Sequence, residues 1–168
     1  MKTIKGADYP ELSCNAYWLD GLAIDCGPLT HFPHEPELIL LTHGHYDHCG
    51  GVRSRALLHE ADWDVKWLNE QFRNFERPSQ IGRLRKKNFE WVDWVLKVIE
   101  TPGHTPGSVC FFDEEKRVLF SGDTLFADGF GRTDLNGGNP EKMAESLELV
   151  ESLNWKTLYP GHGPAMHR

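Results

Sequence analysis

The stretch ELILLTHGHYDH, residues 37–48, decides how the rest of the chain reads. Residues 37–42 form an apolar run of strand length, the pattern of a β-strand buried on both faces. The run then breaks into His43-Gly44-His45-Tyr46-Asp47-His48, which places four potential metal ligands within six residues. Imidazole and carboxylate are the donors that zinc, iron and manganese accept, and alternate positions on an irregular loop can point at two neighbouring ions. A single histidine would be read as a polar loop residue in contact with water. Four donors at this spacing are read as ligands.

Outward from this stretch, the same construction recurs three times. KVIETPGH ends in His104, VLFSGD in Asp123 and KTLYPGH in His162. Each apolar run gives way to a small or rigid residue and then to a ligand. Strand ends are rigid platforms, and Gly or Pro beside the ligand lets the backbone turn sharply, so that distant segments can deliver side chains to one place. A composite metal site of His43, His45, Asp47, His48, His104, Asp123 and His162 is therefore expected. His31, His34, His59 and His167 lack this context and are read as non-ligands.

The remaining elements follow from periodicity and punctuation. Ala16–Leu19 and Leu22–Asp25 are short apolar runs separated by Asp20-Gly21, a dipeptide suited to a two-residue hairpin turn. Residues 60 to about 75 carry apolar and aromatic side chains at helical spacing, with Pro78 just beyond, which predicts a helix. Trp63, Trp67, Phe72 and Phe75 within it are read as core. Trp94–Ile99, Ser108–Phe112 and Arg117–Phe120 read as strands. Pro140 suits the first turn of a helix carrying Met143, Leu147, Val150 and Leu153, and Thr157–Tyr159 closes with a short strand. Strands followed by helices in both halves imply an α/β architecture.

A chain of 168 residues with no Ser/Gly linker or low-complexity segment is read as a single domain, residues 1–168. The formal net charge of -7 opposes attraction to phosphate backbones, so nucleic acid is not expected as a partner and a small-molecule substrate is. The basic run Arg83–Lys87 is read as a solvated loop or helix face. No apolar stretch long enough to span a membrane and no secretory signal pattern is present, which makes a cytoplasmic location the expectation. Cys14, Cys26, Cys49 and Cys110 have no paired spacing and are read as reduced thiols.

At the seven ligands the sequence resembles the metallo-β-lactamase superfamily, whose HxHxDH signature is His43 to His48 here, followed in order by His104, Asp123 and His162. The resemblance implies a four-layer αβ/βα sandwich of two mixed β-sheets flanked by helices. It implies two divalent ions, zinc first and iron or manganese as alternatives. His43, His45 and His104 would hold one ion, Asp47, His48 and His162 the other, with Asp123 bridging. Residues 101–108, 121–126 and 160–164 look most like the glyoxalase II branch, the hydroxyacylglutathione hydrolases, and Gly131-Arg132-Thr133-Asp134 is similar to bacterial and archaeal members. Those enzymes continue into a helical region that grips glutathione, whereas this sequence stops at Arg168, and a homodimer is one way to supply the substrate contacts.

The implied function is hydrolysis of a thioester, a hydroxyacylglutathione or related acyl-thiol, by hydroxide activated at the two ions, with no serine nucleophile required. Asp47 and Asp123 are the catalytic carboxylates and Arg132 the substrate contact. Two further readings share the site: a lactonase on the same two ions, and a persulfide dioxygenase with one iron held by His43, His104 and Asp123.

Overall fold

The computed structural model describes residues 1–5, 14–72 and 74–168, so part of the N-terminal stretch lies outside the described residues. The chain divides into two compact units, Met1–Leu84 and Arg85–Arg168, each built on one six-stranded mixed sheet. The α/β class expected from the sequence, with two mixed sheets and accompanying helices, is what the chain has.

In the first unit, Asp20 and Gly21 take φ of 55° and 95°. These are the positive values that a tight hairpin with right-handed strand twist demands. They join β2 (Asn15–Leu19) to β3 (Leu22–Ile24) with Leu19 opposite Leu22. β1 (Lys2–Lys5) pairs antiparallel with β2, while β4 (Leu38–Leu40), β5 (Ala56–His59) and β6 (Ile81–Leu84) continue parallel from β3. All three residues of β4 are buried, as the apolar run predicts for a central parallel strand. Ala23, Ile39, Leu41, Val52, Leu58 and Val65 belong to the core on this sheet.

The helix expected over residues 60–75 is replaced by a 3₁₀ turn, Glu60–Asp62, and one short helix, Val65–Leu68. Two side chains account for the break. Asp64 caps the short helix by accepting from the Trp67 amide at 3.1 Å. Asn69 ends it, its Nδ2 donating to Val65 O at 2.7 Å and to Gly44 O at 2.8 Å, a local side-chain bond that competes with further helix. Trp63 and Phe75 pack against the core, whereas Trp67 is half exposed. Of the basic run, Arg83 and Leu84 end β6, with Arg83 over the Trp63 ring, while Arg85, Lys86 and Lys87 form an exposed loop as expected.

In the second unit the strand order is β12-β11-β10-β9-β8-β7, comprising β7 (Asn88–Trp91), β8 (Trp94–Glu100), β9 (Val109–Asp113), β10 (Val118–Gly122), β11 (Thr157–Pro160) and β12 (Met166–His167). Only the β10–β11 pair is parallel. The helix Pro140–Ser152 begins as the sequence predicts, with proline in its first turn and Asn139 accepting from the Lys142 amide at 2.9 Å. Its Val150 packs with Cys110, Phe112, Leu119, Trp155 and Leu158.

This topology decides where the candidate ligands emerge. β8 and β10 are each antiparallel to β9 and so run parallel to one another, and β11 is parallel to β10. The C-terminal ends of β8, β10 and β11 therefore share one sheet edge, and His104, Asp123 and His162 follow those ends. In the first unit β3 and β4 are likewise parallel, so Asp25 and His43 leave the same edge.

Candidate metal centre

In the first unit the loop after β4 carries His43 and His45, and a one-turn helix, Tyr46–Cys49, carries Asp47 and His48. His43, His45 and His48 are buried. The imidazoles of His43 and His48 are 4.0 Å apart between centroids, and those of His43 and His45 4.9 Å. His48 Nε2 lies 3.6 Å from Asp47 Oδ2.

The loop is held by polar side chains that the ligand pattern did not mark. Asp25, buried and at φ 59° after β3, accepts from the Thr42 amide at 2.7 Å and from the Thr42 hydroxyl at 2.8 Å. Its Oδ2 also accepts from His48 Nδ1 at 2.9 Å. Thr42 has one hydroxyl proton, which goes to Asp25, so its oxygen 3.1 Å from His43 Nδ1 accepts from that nitrogen. Both histidines thus donate through Nδ1 and keep the Nε2 lone pair for a metal, the supporting arrangement that fixes tautomer and ring direction. Farther along, Gly44 N donates to buried Asp62 at 2.8 Å, and Asn69 accepts from Tyr46 N at 2.7 Å while donating to Gly44 O. The sequence held one weaker signal for Asp25: the apolar run Leu22–Ile24 ends directly in this acid.

In the second unit Asp123 follows Gly122, whose φ of 51° turns the chain at the end of β10. His104 Nε2 and His162 Nε2 each lie 3.5 Å from Asp123 Oδ2. His104 Nδ1 donates to the Arg132 carbonyl at 2.7 Å, so this histidine too leaves Nε2 as its ligand nitrogen. Gly131 lies tight against the cluster: a Cβ there would come within 2.0 Å of Asp123 O and 3.1 Å of His104 Nδ1. Phe126 stands edge-on to His162 with centroids 6.1 Å apart. The Arg132 guanidinium is exposed and paired with Asp134, Nε to Oδ1 and a terminal nitrogen to Oδ2 both at 2.7 Å, which holds the Asp134 carboxyl down at about 2.

Separations of 3.5 and 3.6 Å between Nε2 and carboxylate oxygen are too long for good hydrogen bonds. They match two ligands of one tetrahedral ion, since bonds of about 2.0–2.1 Å at a tetrahedral angle put neighbouring donors roughly 3.3–3.5 Å apart. The donor chemistry, the fixed tautomers and this spacing fit a divalent metal. The structure brings His43, His45, Asp47 and His48 together in the first unit. It brings His104, Asp123 and His162 together in the second, with Arg132 touching that group through its backbone.

All four cysteines are free, buried thiols. Burial pushes Cys14 up to about 11, Cys26 to about 12 and Cys110 to about 11, and raises Cys49 as well. Thiols so held are poor nucleophiles and poor metal ligands, which leaves the histidines and carboxylates as the donors. Among the described residues no helix is long and apolar enough to cross a membrane.

Residues 32–162 match the family model described as the metallo-beta-lactamase superfamily. The probable metallo-hydrolase YqgX of Bacillus subtilis is 35% identical over 153 residues, covering 77% of this chain and 69% of that protein. Hydroxyacylglutathione hydrolase GloC of Haemophilus influenzae is 34% identical over 145 residues, covering 76% and 68%. The chain spans about half the length of a further relative, the hydroxyacylglutathione hydrolase of Enterobacter sp., 36% identical over 128 residues with 74% of this chain and 46% of that protein covered. Among solved structures, TTHA1623 in a di-iron-bound form superposes with a TM-score of 0.77 at 28% identity over 96% of this chain and 93% of that one.

Proposed function

The chain belongs to the metallo-beta-lactamase superfamily, and from that premise we propose that it is a metal-dependent thioester hydrolase of the glyoxalase II type. In this reading the donors of the two units serve one pair of divalent ions, zinc by preference. His43, His45 and His104 would hold one ion and Asp47, His48 and His162 the other, with Asp123 shared between them. Such a pair supplies Lewis acidity and lowers the pKa of water at the site.

The observation that carries the proposal is the placement of His104 Nε2 and His162 Nε2 at equal 3.5 Å distances from one oxygen of Asp123, the spacing of co-ligands. Support also comes from the hydroxyacylglutathione hydrolases among the relatives, and the di-iron form of a similar structure supports occupancy by two ions.

The chain's own residues have assignable tasks. Asp25 and Thr42 hold the rings of His48 and His43 so that neither reorients when charge develops nearby. Asp47 has a partly exposed carboxylate beside His48, and in this reading it would orient water and take its proton. Arg132 is the proposed contact for a substrate carboxylate. It offers a planar donor fork at an exposed position, and Asp134 must yield it when substrate binds.

The test pairs metal analysis of the purified protein with two assays, hydrolysis of S-lactoylglutathione and other acyl-thiols, and persulfide-dependent oxygen uptake. Two ions per chain with thioester hydrolysis is the expected result. One iron per chain with oxygen uptake would overturn it.

A further inference from the structure

Each parallel connection in the first unit but one lays helical structure on the sheet. β4 reaches β5 through the helix Tyr46–Cys49, and β5 reaches β6 through the 3₁₀ turn and Val65–Leu68. β3 and β4 are also parallel, yet residues 25–37 between them contain no helix. Parallel neighbours ordinarily need a crossover of a dozen or more residues, most often helical. Here Pro28, Pro33 and Pro36 remove amide donors and forbid the helix. The sheet beneath the connection is left covered by an irregular segment.

Under that segment lies a cavity of about 300 Å³. Its apolar walls include Cys26, Phe32, Pro36 and Ile39, and Phe32 is fixed by a tilted contact with Trp18, centroids 5.7 Å apart. Thr30 Oγ1 is a buried hydroxyl with no hydrogen-bond partner among the described residues. Arg53 also lines the cavity. Among the described residues its guanidinium has one hydrogen bond, to Val52 O at 3.2 Å, and no carboxylate within ion-pair distance. The imidazoles of His31 and His34 and the carboxylate of Glu35 complete the exposed rim.

We propose that this cavity is a second binding site, separate from the metal ligands, for a small apolar monocarboxylate. The volume is at the lower end for ligand pockets, and mostly apolar walls with a few placed polar groups are their usual composition. A guanidinium with no carboxylate partner among the described residues recognises an anionic oxygen pair. A single fixed cation, with Glu35 on the rim and a chain of net charge -7, selects a monoanion over a doubly charged phosphate. The site does not depend on the reaction proposed above.

Benzoate is the probe, titrated into the zinc-loaded chain and followed by ¹H–¹⁵N NMR. Carboxylates also ligate metals, so the location of the response matters as much as its size. Saturable shifts centred on the amides of Thr30, Phe32, Ile39 and Ser54 are expected. Affinity should fall about tenfold in Arg53→Gln, and uncharged benzyl alcohol should not compete. Shifts confined to His43, His45 and His104, equal affinity in Arg53→Gln, or no response at about 10 mM benzoate would each overturn the proposal.

Discussion

Asp25 Oδ2 accepts from His48 Nδ1 at 2.9 Å while both side chains are buried, and the same carboxylate takes both donors of Thr42. Asp25 lies outside the candidate ligand set, yet through His48 and through Thr42 to His43 it sets the direction of two candidate ligand rings. In Asp25→Asn the amide turns its nitrogen either to the Thr42 amide or to the Thr42 hydroxyl and His48 Nδ1, so at least one of the three bonds is lost and the rest lose the carboxylate's charge. Metal affinity should fall about 10–100-fold, read by competition with a chromogenic chelator, while the fold persists by circular dichroism. Unchanged affinity would mean that the rings are held by packing alone.

Asp123 stands at the centre of the second unit's donor set, and its replacement tests the ligand scheme directly. Asp123→Ala removes the one carboxylate oxygen that His104 and His162 both face. Bound metal should drop below two ions per chain, and turnover should fall at least about a hundredfold. A variant that kept two tightly bound ions and normal turnover would reject the scheme.

Gly131 has a quieter role that is open to test. A Cβ at this position would come within 2.0 Å of Asp123 O, far inside contact distance, and Asp123 is anchored to the end of β10. Gly131→Ala should therefore push the loop away and lose the His104–Arg132 hydrogen bond. The expected cost is about 1–3 kcal/mol in thermal or urea unfolding, with weakened metal binding. Gly129 provides the control, since a Cβ there meets nothing within 4 Å.

The candidate ligands could be picked out because the segments that carry them follow apolar runs that break at small, rigid or polar residues, a signal contained in a few adjacent residues. The hairpin at Asp20-Gly21 and the start of the helix at Pro140 were legible for the same reason. What the sequence hid depends on partners distant along the chain. Asn69 cuts the expected long helix by bonding to Gly44, twenty-five residues away, and Asp62 and Asp25 hold the ligand loop from comparable separations. Helical spacing records which residues favour burial. It does not record which polar side chain will claim a backbone group in another segment.

Arg132 makes two separate contacts, its carbonyl with His104 and its exposed guanidinium with Asp134. Truncation to alanine keeps the carbonyl, so Arg132→Ala should retain full metal content. If the guanidinium binds substrate, KM rises while kcat stays within about twofold. Asp134→Asn frees the guanidinium and should not raise KM. Should both variants behave alike with KM unchanged, the arginine serves only its ion pair.

The thiols give the pH dependence a definite sign. Burial raises Cys14 and Cys110 to about 11 and Cys26 to about 12, above the ordinary thiol range. Once unfolded, these groups lose protons near pH 9, while the folded chain still holds them. Folding then binds more protons than the unfolded state does, so stability falls as pH rises from about 9 towards 11–12 and is unaffected by these groups below that window. Urea midpoints measured across this range should decline with pH, and Cys110→Ala, which removes one such group outside the ligand loop, should flatten the decline. A colorimetric disulfide reagent at pH 8 should find none of the four thiols in the folded chain and all four in denaturant. Rapid labelling of Cys110 without unfolding would show that its position between β8 and β10 opens far more readily than its burial implies.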